Sequence, residues 1–358
     1  MNNKYFRSNT VNKACFTTRL YLLLIITALS PALARAQADI HFSQFYETSI
    51  LRNPALTGVF SDDYKLGLYY RNQWSSITHP YSTALFSAEG HVPVSSVSED
   101  FVSFGILGYS DRAGSIDQKI TTVYPALNYN KCINTDHNTF LSVGFTGGYN
   151  QYSFDPTKTT FNNQYLNNAF DPSNPSMENL PNAKMSMWDL GAGINYNTSM
   201  GEDNRTTYVI GFSGYHFTQP KFSYYQTSGI TENMRLNANG AASFTITDMI
   251  NMQIQANYAI QGTYKEAVGG VLVTWTQLGS ISKPRFSLTG GLMYRVGDAI
   301  IPIVKVGYQQ FAMGLSYDVN LSSLNEASNF QGGYEFTLFY TGNFSDKGMT
   351  RKTVCPKF

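Results

Sequence analysis

The five histidines of this chain are its most versatile chemical groups, yet their spacing matches no zinc-binding motif. They are His41, His79, His91, His137 and His216. Neither a Gly-x-Ser-x-Gly sequence nor a Gly-x-x-x-x-Gly-Lys phosphate loop occurs. His79 alone lies where a hydrolytic site at the rim of a membrane barrel could begin, and no serine and aspartate can be assigned to it. The sequence therefore predicts no catalytic residue, no metal ligand and no cofactor.

The chain begins with the features of a cleavable secretory signal. Basic residues precede an apolar run over 20–29, and small residues follow at 34–36. The run is shorter than the roughly 20 apolar residues that a spanning helix needs, so we predict that residues 1–36 are a signal peptide cleaved before Gln37. Cleavage would leave 20 basic and 24 acidic residues, a net charge of −4. Such a mild charge does not indicate nucleic-acid binding.

The remainder of the chain is rich in aromatic residues and alternates between apolar and polar positions. Aromatic residues make up 15% of the sequence, and no further run of 18 apolar residues occurs, so no transmembrane helix is expected. Apolar and polar residues alternate over 141–149, 188–196 and 253–260, which is typical of strands with two different faces. The pattern predicts an all-β fold, a transmembrane antiparallel β-barrel of about 14 strands of the outer-membrane type.

The predicted connections between strands differ in length in a regular way. The three longest, 151–184, 218–234 and 321–331, follow the fifth, seventh and thirteenth predicted strands. If the chain enters the barrel from the periplasm, all three lie outside, as in outer-membrane barrels. We therefore predict a barrel over 61–344, preceded by a segment at 37–60 that either plugs the lumen or packs under the periplasmic rim.

Cys132 and Cys355 are the cysteines that would remain after signal cleavage. Cys132 falls in the predicted inward connection 131–137, and Cys355 falls in a predicted periplasmic C-terminal tail, 345–358. Both thiols should then face an oxidising compartment, and two cysteines permit one disulfide. A bond that ties the tail to the lower rim of the barrel is therefore a hypothesis.

Whether the barrel is open or closed is left undecided by the sequence. The charged residues Asp189, Arg295 and Glu335 are predicted to face the lumen, where they could line a pore or form ion pairs that fill a closed barrel. The long connection 151–184 is rich in Asn, Pro and Phe. Such a loop could fold over the mouth of the barrel or remain in solvent.

Several short motifs resemble the PorP/SprF family, the outer-membrane barrels of the Bacteroidota type IX secretion and gliding apparatus. They are Ser-Gln-Phe-Tyr at 43–46, Asn-Pro-Ala-Leu-Thr-Gly at 53–58, Tyr-Arg-Asn-Gln-Trp at 70–74, Asp-Arg-Ala-Gly at 111–114 and Val-Cys-Pro-Lys-Phe at 354–358. Their order behind a signal peptide makes the resemblance extend over most of the predicted mature chain. Residues 47–52 depart from the short apolar stretch that is frequent in the family.

The resemblance implies a non-enzymatic outer-membrane component of type IX secretion. Such a protein is expected to bind a secreted adhesin or another cargo by its C-terminal domain, and to meet further secretion components in the periplasm and outer membrane. The lipid bilayer is its other expected partner. The residues expected to contact protein partners are Asn53, Pro54, Arg71, Trp74, Phe154, Phe161, Tyr165, Phe170, Tyr224 and Tyr225.

Two other functions stay open at this point. A barrel of about 14 strands with an N-terminal plug could be a passive transporter of a small polar or hydrophobic solute, and an ion conductance would indicate it. A barrel enzyme would need a cluster of serine, histidine and aspartate at the rim, which the sequence does not display.

Overall fold

The computed structural model describes residues 39–344 except 76–78, 96–97, 167, 180–181, 226–228, 279–283 and 324. Its strands are β1 (Tyr64–Gln73), β2 (Tyr81–Pro93), β3 (Phe101–Ala113), β4 (Gln118–Asn134), β5 (Thr139–Ser153), the short β6 (Tyr165–Leu166) and β7 (Ala169–Phe170), β8 (Lys184–Met200), β9 (Thr206–Tyr215), β10 (Arg235–Thr247), β11 (Ile250–Gln261), β12 (Tyr264–Leu278), β13 (Pro284–Arg295), β14 (Ala299–Tyr308), β15 (Phe311–Asn320) and β16 (Gln331–Gly342).

All of these strands except β6 and β7 form one closed antiparallel barrel of 14 strands. Each barrel strand pairs with its neighbours along the chain, and β1 closes the ring by pairing with β16 from Tyr64↔Gly342 to Gln73↔Gly333. The short strands β6 and β7 pair only with each other. The predicted fold, a 14-strand antiparallel barrel, is confirmed.

The barrel strands turn their apolar side chains outward, the reverse of a soluble protein. On β5, Phe145 is 58% exposed, whereas Ser142 and Thr146 are buried on the opposite face. The same alternation brings the fully buried amide Asn128 to the inside of β4. An apolar outside and a polar inside are what the strands of a membrane barrel need. Among the described residues, no helix is long and apolar enough to span a membrane.

Exposed aromatic side chains lie near both ends of the barrel strands. Those near the end that carries the long connections are Tyr70, Tyr149, Trp188, Tyr258, Tyr294, Tyr317 and Tyr334. Those near the opposite end are Tyr129, Tyr196, Tyr208, Trp275, Tyr308 and Phe311. Aromatic rings concentrate at the two interfaces of a bilayer, so the apolar band between the belts is the part of the wall that contacts lipid.

The connections sort by length between the two ends of the barrel. Residues 154–183, 216–234 and 321–330 all lie at one end, called here the long-loop end. The other end, called the short-turn end, includes the tight connections 248–249 and 309–310. Short helices occur at Pro156–Lys158, Asn162–Gln164, Glu202–Asn204 and Asn325–Ser328.

The predicted inward connection 131–137 begins later in the structure, at residue 135. Strand β4 continues to Asn134, so Cys132 lies on a strand and not in a connection. The strand continues because Cys132 pairs with Phe140 of β5 and its backbone N–H donates to Oδ1 of Asp100 at 2.9 Å. Its thiol is half-buried against Phe101 and Phe140. The partner in the hypothetical disulfide, Cys355, lies outside the described residues.

Residues 39–60 lie inside the ring of strands and are called here the plug. Three short helical turns, Phe45–Glu47, Ser49–Arg52 and Pro54–Leu56, make up its middle. The plug runs along the lumen, because Asp39 contacts the end of β11 at the long-loop end. At the other extreme, the N–H of Gly58 donates to Glu89 of β2 near the short-turn end.

Candidate functional site

The plug is fixed to the barrel wall by a group of buried ion pairs around Ser43. The Ser43 hydroxyl accepts hydrogen bonds from Arg71 of β1 at 2.7 Å and from Arg295 of β13 at 2.6 Å. Both guanidinium groups also pair with Asp318 of β15 at 3.0 Å, and Arg71 pairs with Glu335 of β16. Pairing of this kind offsets the cost of removing these charges from water. The predicted lumen charges Arg295 and Glu335 thus form ion pairs that help to fill the barrel.

Asn53 fixes the middle of the plug to the opposite part of the wall. Its side-chain amide donates to the Ile194 carbonyl at 3.1 Å and to Oδ1 of Asn239 at 2.9 Å, while its oxygen accepts the N–H of Ala55 at 2.9 Å. The last bond caps the turn that Pro54 begins, where proline is favoured because it needs no N–H partner. The side chain is fully buried, so the motif residue holds the plug in place.

The plug also fits closely against bare backbone on β5. A methyl group added at Gly144 would lie 2.3 Å from the carbonyl carbon of Pro54 and 2.4 Å from the nitrogen of Ala55. No side chain fits in that space, since real contacts of this kind are not shorter than about 3 Å. Glycine is therefore required at this position for the turn of the plug to reach the wall.

Nearer the short-turn end, Glu47 of the plug pairs with Lys65 of β1 at 2.8 Å and with Lys305 of β14. The two lysines offset the cost of burying the Glu47 carboxylate. Arg52 has no carboxylate partner among the described residues and instead donates to Oε1 of Gln255 and to two strand carbonyls. A cavity of about 390 Å³ lies between this part of the plug and the wall.

A second group of buried charges surrounds His216, directly after β9 at the long-loop end. Nε2 of its ring lies 2.7 Å from Asp39 of the plug, and Nδ1 lies 2.8 Å from Asp189 and 3.5 Å from Glu232. Burial would lower the pKa of His216, but Asp39 and Asp189 raise it to about 11. Burial is also the main reason that the pKa of Glu232 is raised to about 7.

The two longest connections contact each other outside the barrel mouth. The rings of Phe154 and Tyr224 lie 4.9 Å apart edge to face, and Tyr152 and Phe222 pack in the same way at 5.0 Å. The amide of Asn182 donates to the Tyr224 carbonyl. Edge-to-face pairs of this kind favour a defined loop arrangement. The two loops thus form one surface.

The residues predicted to contact partners fall into three environments. Asn53, Pro54 and Arg71 are buried between plug and wall, where their polar groups bond within the chain. Trp74, Phe154, Phe161 and Tyr224 are half-buried, and Trp74 packs against Tyr81. Tyr165, Phe170 and Tyr225 are exposed. All ten remain predictions as partner contacts.

Several residues of the plug contacts were missed by sequence reasoning. Ser43 and Asp318 are separated by 275 residues, and Asp39 and His216 by 177. No local pattern links residues so far apart in a chain. One signal in the sequence could have indicated these contacts. A charged residue at an inward-facing strand position, such as Asp318, needs a partner of opposite charge somewhere in the lumen.

Comparison with known proteins agrees with the barrel and identifies the family. The family model described as "Type IX secretion system membrane protein PorP/SprF" matches residues 34–340. Comparison with curated protein sequences finds no match.

Among solved structures, this chain is similar to the crystal structure of the Ralstonia pickettii toluene transporter TbuX, with a TM-score of 0.53 and 10% identity over 83% of this chain and 93% of that chain. A Pseudomonas aeruginosa FadL homologue gives a TM-score of 0.50 and 11% identity over 82% and 93%. Identity this low shows a shared barrel fold alone. The family match covers most of the chain, and the protein therefore belongs to the PorP/SprF family of type IX secretion system membrane proteins.

Proposed function

We propose that this protein is a non-enzymatic outer-membrane component of the type IX secretion or gliding machinery. In this proposal the surface at the long-loop end binds the C-terminal domain of a secreted adhesin or another cargo protein and supports its export and anchoring. The short-turn end meets partners of the machinery in the periplasm. The observation that carries the proposal is an exposed apolar surface on the two joined loops.

That surface is built from large side chains that make little contact with the rest of the chain. The β6–β7 hairpin exposes Tyr165, Leu166 and Phe170 at 56%, 54% and 47%, and the neighbouring loop exposes Tyr225 at 54%. These residues stand beyond the long-loop ends of the strands, outside the band that contacts lipid. Rigid aromatic side chains on a polar, Asn-rich background are the usual anchors of protein interfaces. A protein partner is therefore the best explanation for them.

The main alternative is passive transport. Its support is the barrel fold shared with a protein described as a toluene transporter, together with the cavity of about 390 Å³ beside the plug. Against it stands the plug itself, because its hydrogen bonds and ion pairs engage strands around most of the ring. A solute would have to displace these contacts to pass.

The test is capture of type IX cargo by the protein in its native outer membrane. The tagged chain is solubilised in mild detergent, and co-purified proteins are identified by mass spectrometry, with and without the double substitution Tyr165→Ser and Phe170→Ser. We expect the unaltered chain to retain a secreted protein through its C-terminal domain. The loop variant should lose most of this cargo and keep the periplasmic components.

The matched control is Ile133→Ser, which removes an equally exposed apolar side chain, 59% exposed, near the short-turn end. This variant should retain cargo. Cargo capture that is unaffected by the loop substitutions would refute the assignment of the binding surface. A barrel that is recovered without any type IX protein would favour the transporter instead.

A further inference from the structure

The group of charges around His216 has unsatisfied bonding capacity that nothing described so far explains. His216 is 3% exposed and adopts a left-handed backbone conformation, with a φ of 61°. Oε2 of Glu232, which is 7% exposed, makes no hydrogen bond, and it lies 3.5 Å from Nδ1 of His216. Nδ1 makes no well-aligned hydrogen bond either, although a carboxylate oxygen of Asp189 lies 2.8 Å from it. Buried polar atoms normally have a partner, so the open carboxylate oxygen indicates room for a further species.

The rest of each side chain is held so that its free atom points into the group. Tyr152 donates to Oε1 of Glu232 at 3.0 Å, which leaves Oε2 open. The other ring nitrogen of His216, Nε2, is engaged by Asp39 at 2.7 Å. A carboxylate that binds one nitrogen of an imidazole while the other nitrogen stays open is the usual arrangement around a metal-ligating histidine.

A third ligand is at hand on the wall of the barrel. Oδ2 of Asp189 lies 2.8 Å from Nδ1 and accepts a hydrogen bond from the hydroxyl of Tyr124 at 3.2 Å, while Oδ1 is fixed by the N–H of Leu190 at 2.8 Å. One ligand atom each from Asp39, His216 and Glu232 also lies within 4.8 Å of the others. Ligands bonded at about 2.0–2.2 Å to a tetrahedral ion are about 3.3–3.6 Å apart. The 3.5 Å between Nδ1 and Glu232 matches this separation, and Asp189, at 2.8 Å, would have to move slightly away from Nδ1.

The charge of the group would also suit a cation. Asp39, Asp189 and Glu232 supply three carboxylates, and the cations beside them among the described residues are the protonated ring of His216 and Arg235, 3.5 Å from Asp39. A ligating imidazole is neutral, so metal binding would displace a proton from the ring. A divalent cation would then balance the two negative charges that Arg235 leaves without compensation.

We propose that this group binds one divalent transition-metal ion, such as Zn²⁺, through Nδ1 of His216, Oε2 of Glu232 and Oδ2 of Asp189. Asp39 orients the ring by accepting a hydrogen bond from Nε2–H. One imidazole combined with carboxylates suits Zn²⁺ and its neighbours better than Ca²⁺, which prefers oxygen ligands alone. Because Asp39 belongs to the plug and the ligands belong to the wall and a loop, the ion would fasten the plug at the long-loop end.

The test is metal binding by the full-length protein in detergent, prepared without a polyhistidine tag and freed of metal with EDTA. Zn²⁺ is titrated against a chromophoric chelator, and Co²⁺ is added separately to record the visible absorption of a bound ion. We expect one ion per chain. Glu232→Gln keeps nearly the shape of the glutamate side chain and should weaken Zn²⁺ binding by about tenfold or more. Asp39→Asn acts only on the orientation of the His216 ring and should weaken Zn²⁺ binding by about tenfold.

The matched control is His137→Gln, because His137 is exposed at the short-turn end, and it should bind Zn²⁺ like the unaltered chain. Folding of each variant is checked by its β-sheet circular dichroism. If the unaltered chain does not compete with the chelator, or if folded Glu232→Gln binds as well as the control, the group holds a proton between its carboxylates and the metal site is refuted.

Discussion

At the scale of single residues, Arg71 joins parts of the molecule that are far apart in the sequence. Its guanidinium bonds Ser43 of the plug, Asp318 of β15 and Glu335 of β16, and it is 3% exposed. Removing one member of a buried ion pair leaves its partners charged and desolvated. The side chain is thus a structural link between plug and wall.

We expect Arg71→Ala to lower the free energy of unfolding by about 3–5 kcal/mol, because two buried carboxylates lose a partner. The protein is refolded into lipid vesicles, and unfolding in urea is followed by tryptophan fluorescence. The control is Arg205→Ala, whose ion pair with Asp248 at 3.2 Å is largely exposed and should contribute below about 1 kcal/mol. Equal losses for both variants would contradict the link.

The sequence predicted part of this residue-level arrangement. Arg295 and Glu335 were recognised as lumen-facing charges because strand alternation assigns each residue to a face. Their partners were not predictable, since barrel register and plug path decide which charges meet. Arg71 belongs to a recognisable motif, but no pattern in the sequence places it in a buried ion pair.

At the scale of elements, the strands followed from alternation, whereas the path of the plug did not. Strand alternation is a local property, and on β5 it separates Ser142 from Phe145 as predicted. The plug has only short helical turns, and its shape depends on contacts such as the one between Pro54 and Gly144. A glycine in a strand indicates a possible close approach without identifying what approaches.

We expect Gly144→Ala to push the plug from its seat and to destabilise the barrel by about 1–3 kcal/mol, as overpacking does. Gly290→Ala is the control, because a methyl group there meets nothing within 4 Å. It should be neutral or stabilise slightly by restricting the unfolded chain. The measurement uses a reporter cysteine, Thr57→Cys, at a buried position of the plug. It is placed in a background of Cys132→Ser and Cys355→Ser. The rate at which a maleimide labels the reporter is then compared between the two glycine variants. Equal labelling rates would show that the contact does not seat the plug.

At the scale of the whole molecule, this protein is a membrane β-barrel whose lumen is occupied by the plug. The apolar outer band, the aromatic belts and the long connections at one end were all foreseeable, since a bilayer imposes the same rules on every barrel strand. Whether the lumen is open could not be foreseen. Charged residues in the lumen are compatible with both an open pore and a filled barrel, and only their partners distinguish the two.

We expect the intact protein to show no steady conductance in a planar lipid bilayer. Deletion of residues 39–58 should produce one, because the polar side chains that now bond the plug would then face water. Deletion of the exposed β6–β7 hairpin, residues 165–170, is the control and should leave the barrel closed. Steady conductance by the intact protein would mean that solutes pass the plug in place.

The contacts of Ser43 also bear on the order of folding. Arg71 of the first strand and Glu335 of the last stand opposite each other where the ring closes, and the plug bonds to both. Pairing between strands so far apart in the chain is intrinsically slow. A plug bound to β1 would present Glu335 with the N–H groups of Ser43 and Gln44. The plug thus ties the first strand to the last, so that closure of the wall and seating of the plug support each other.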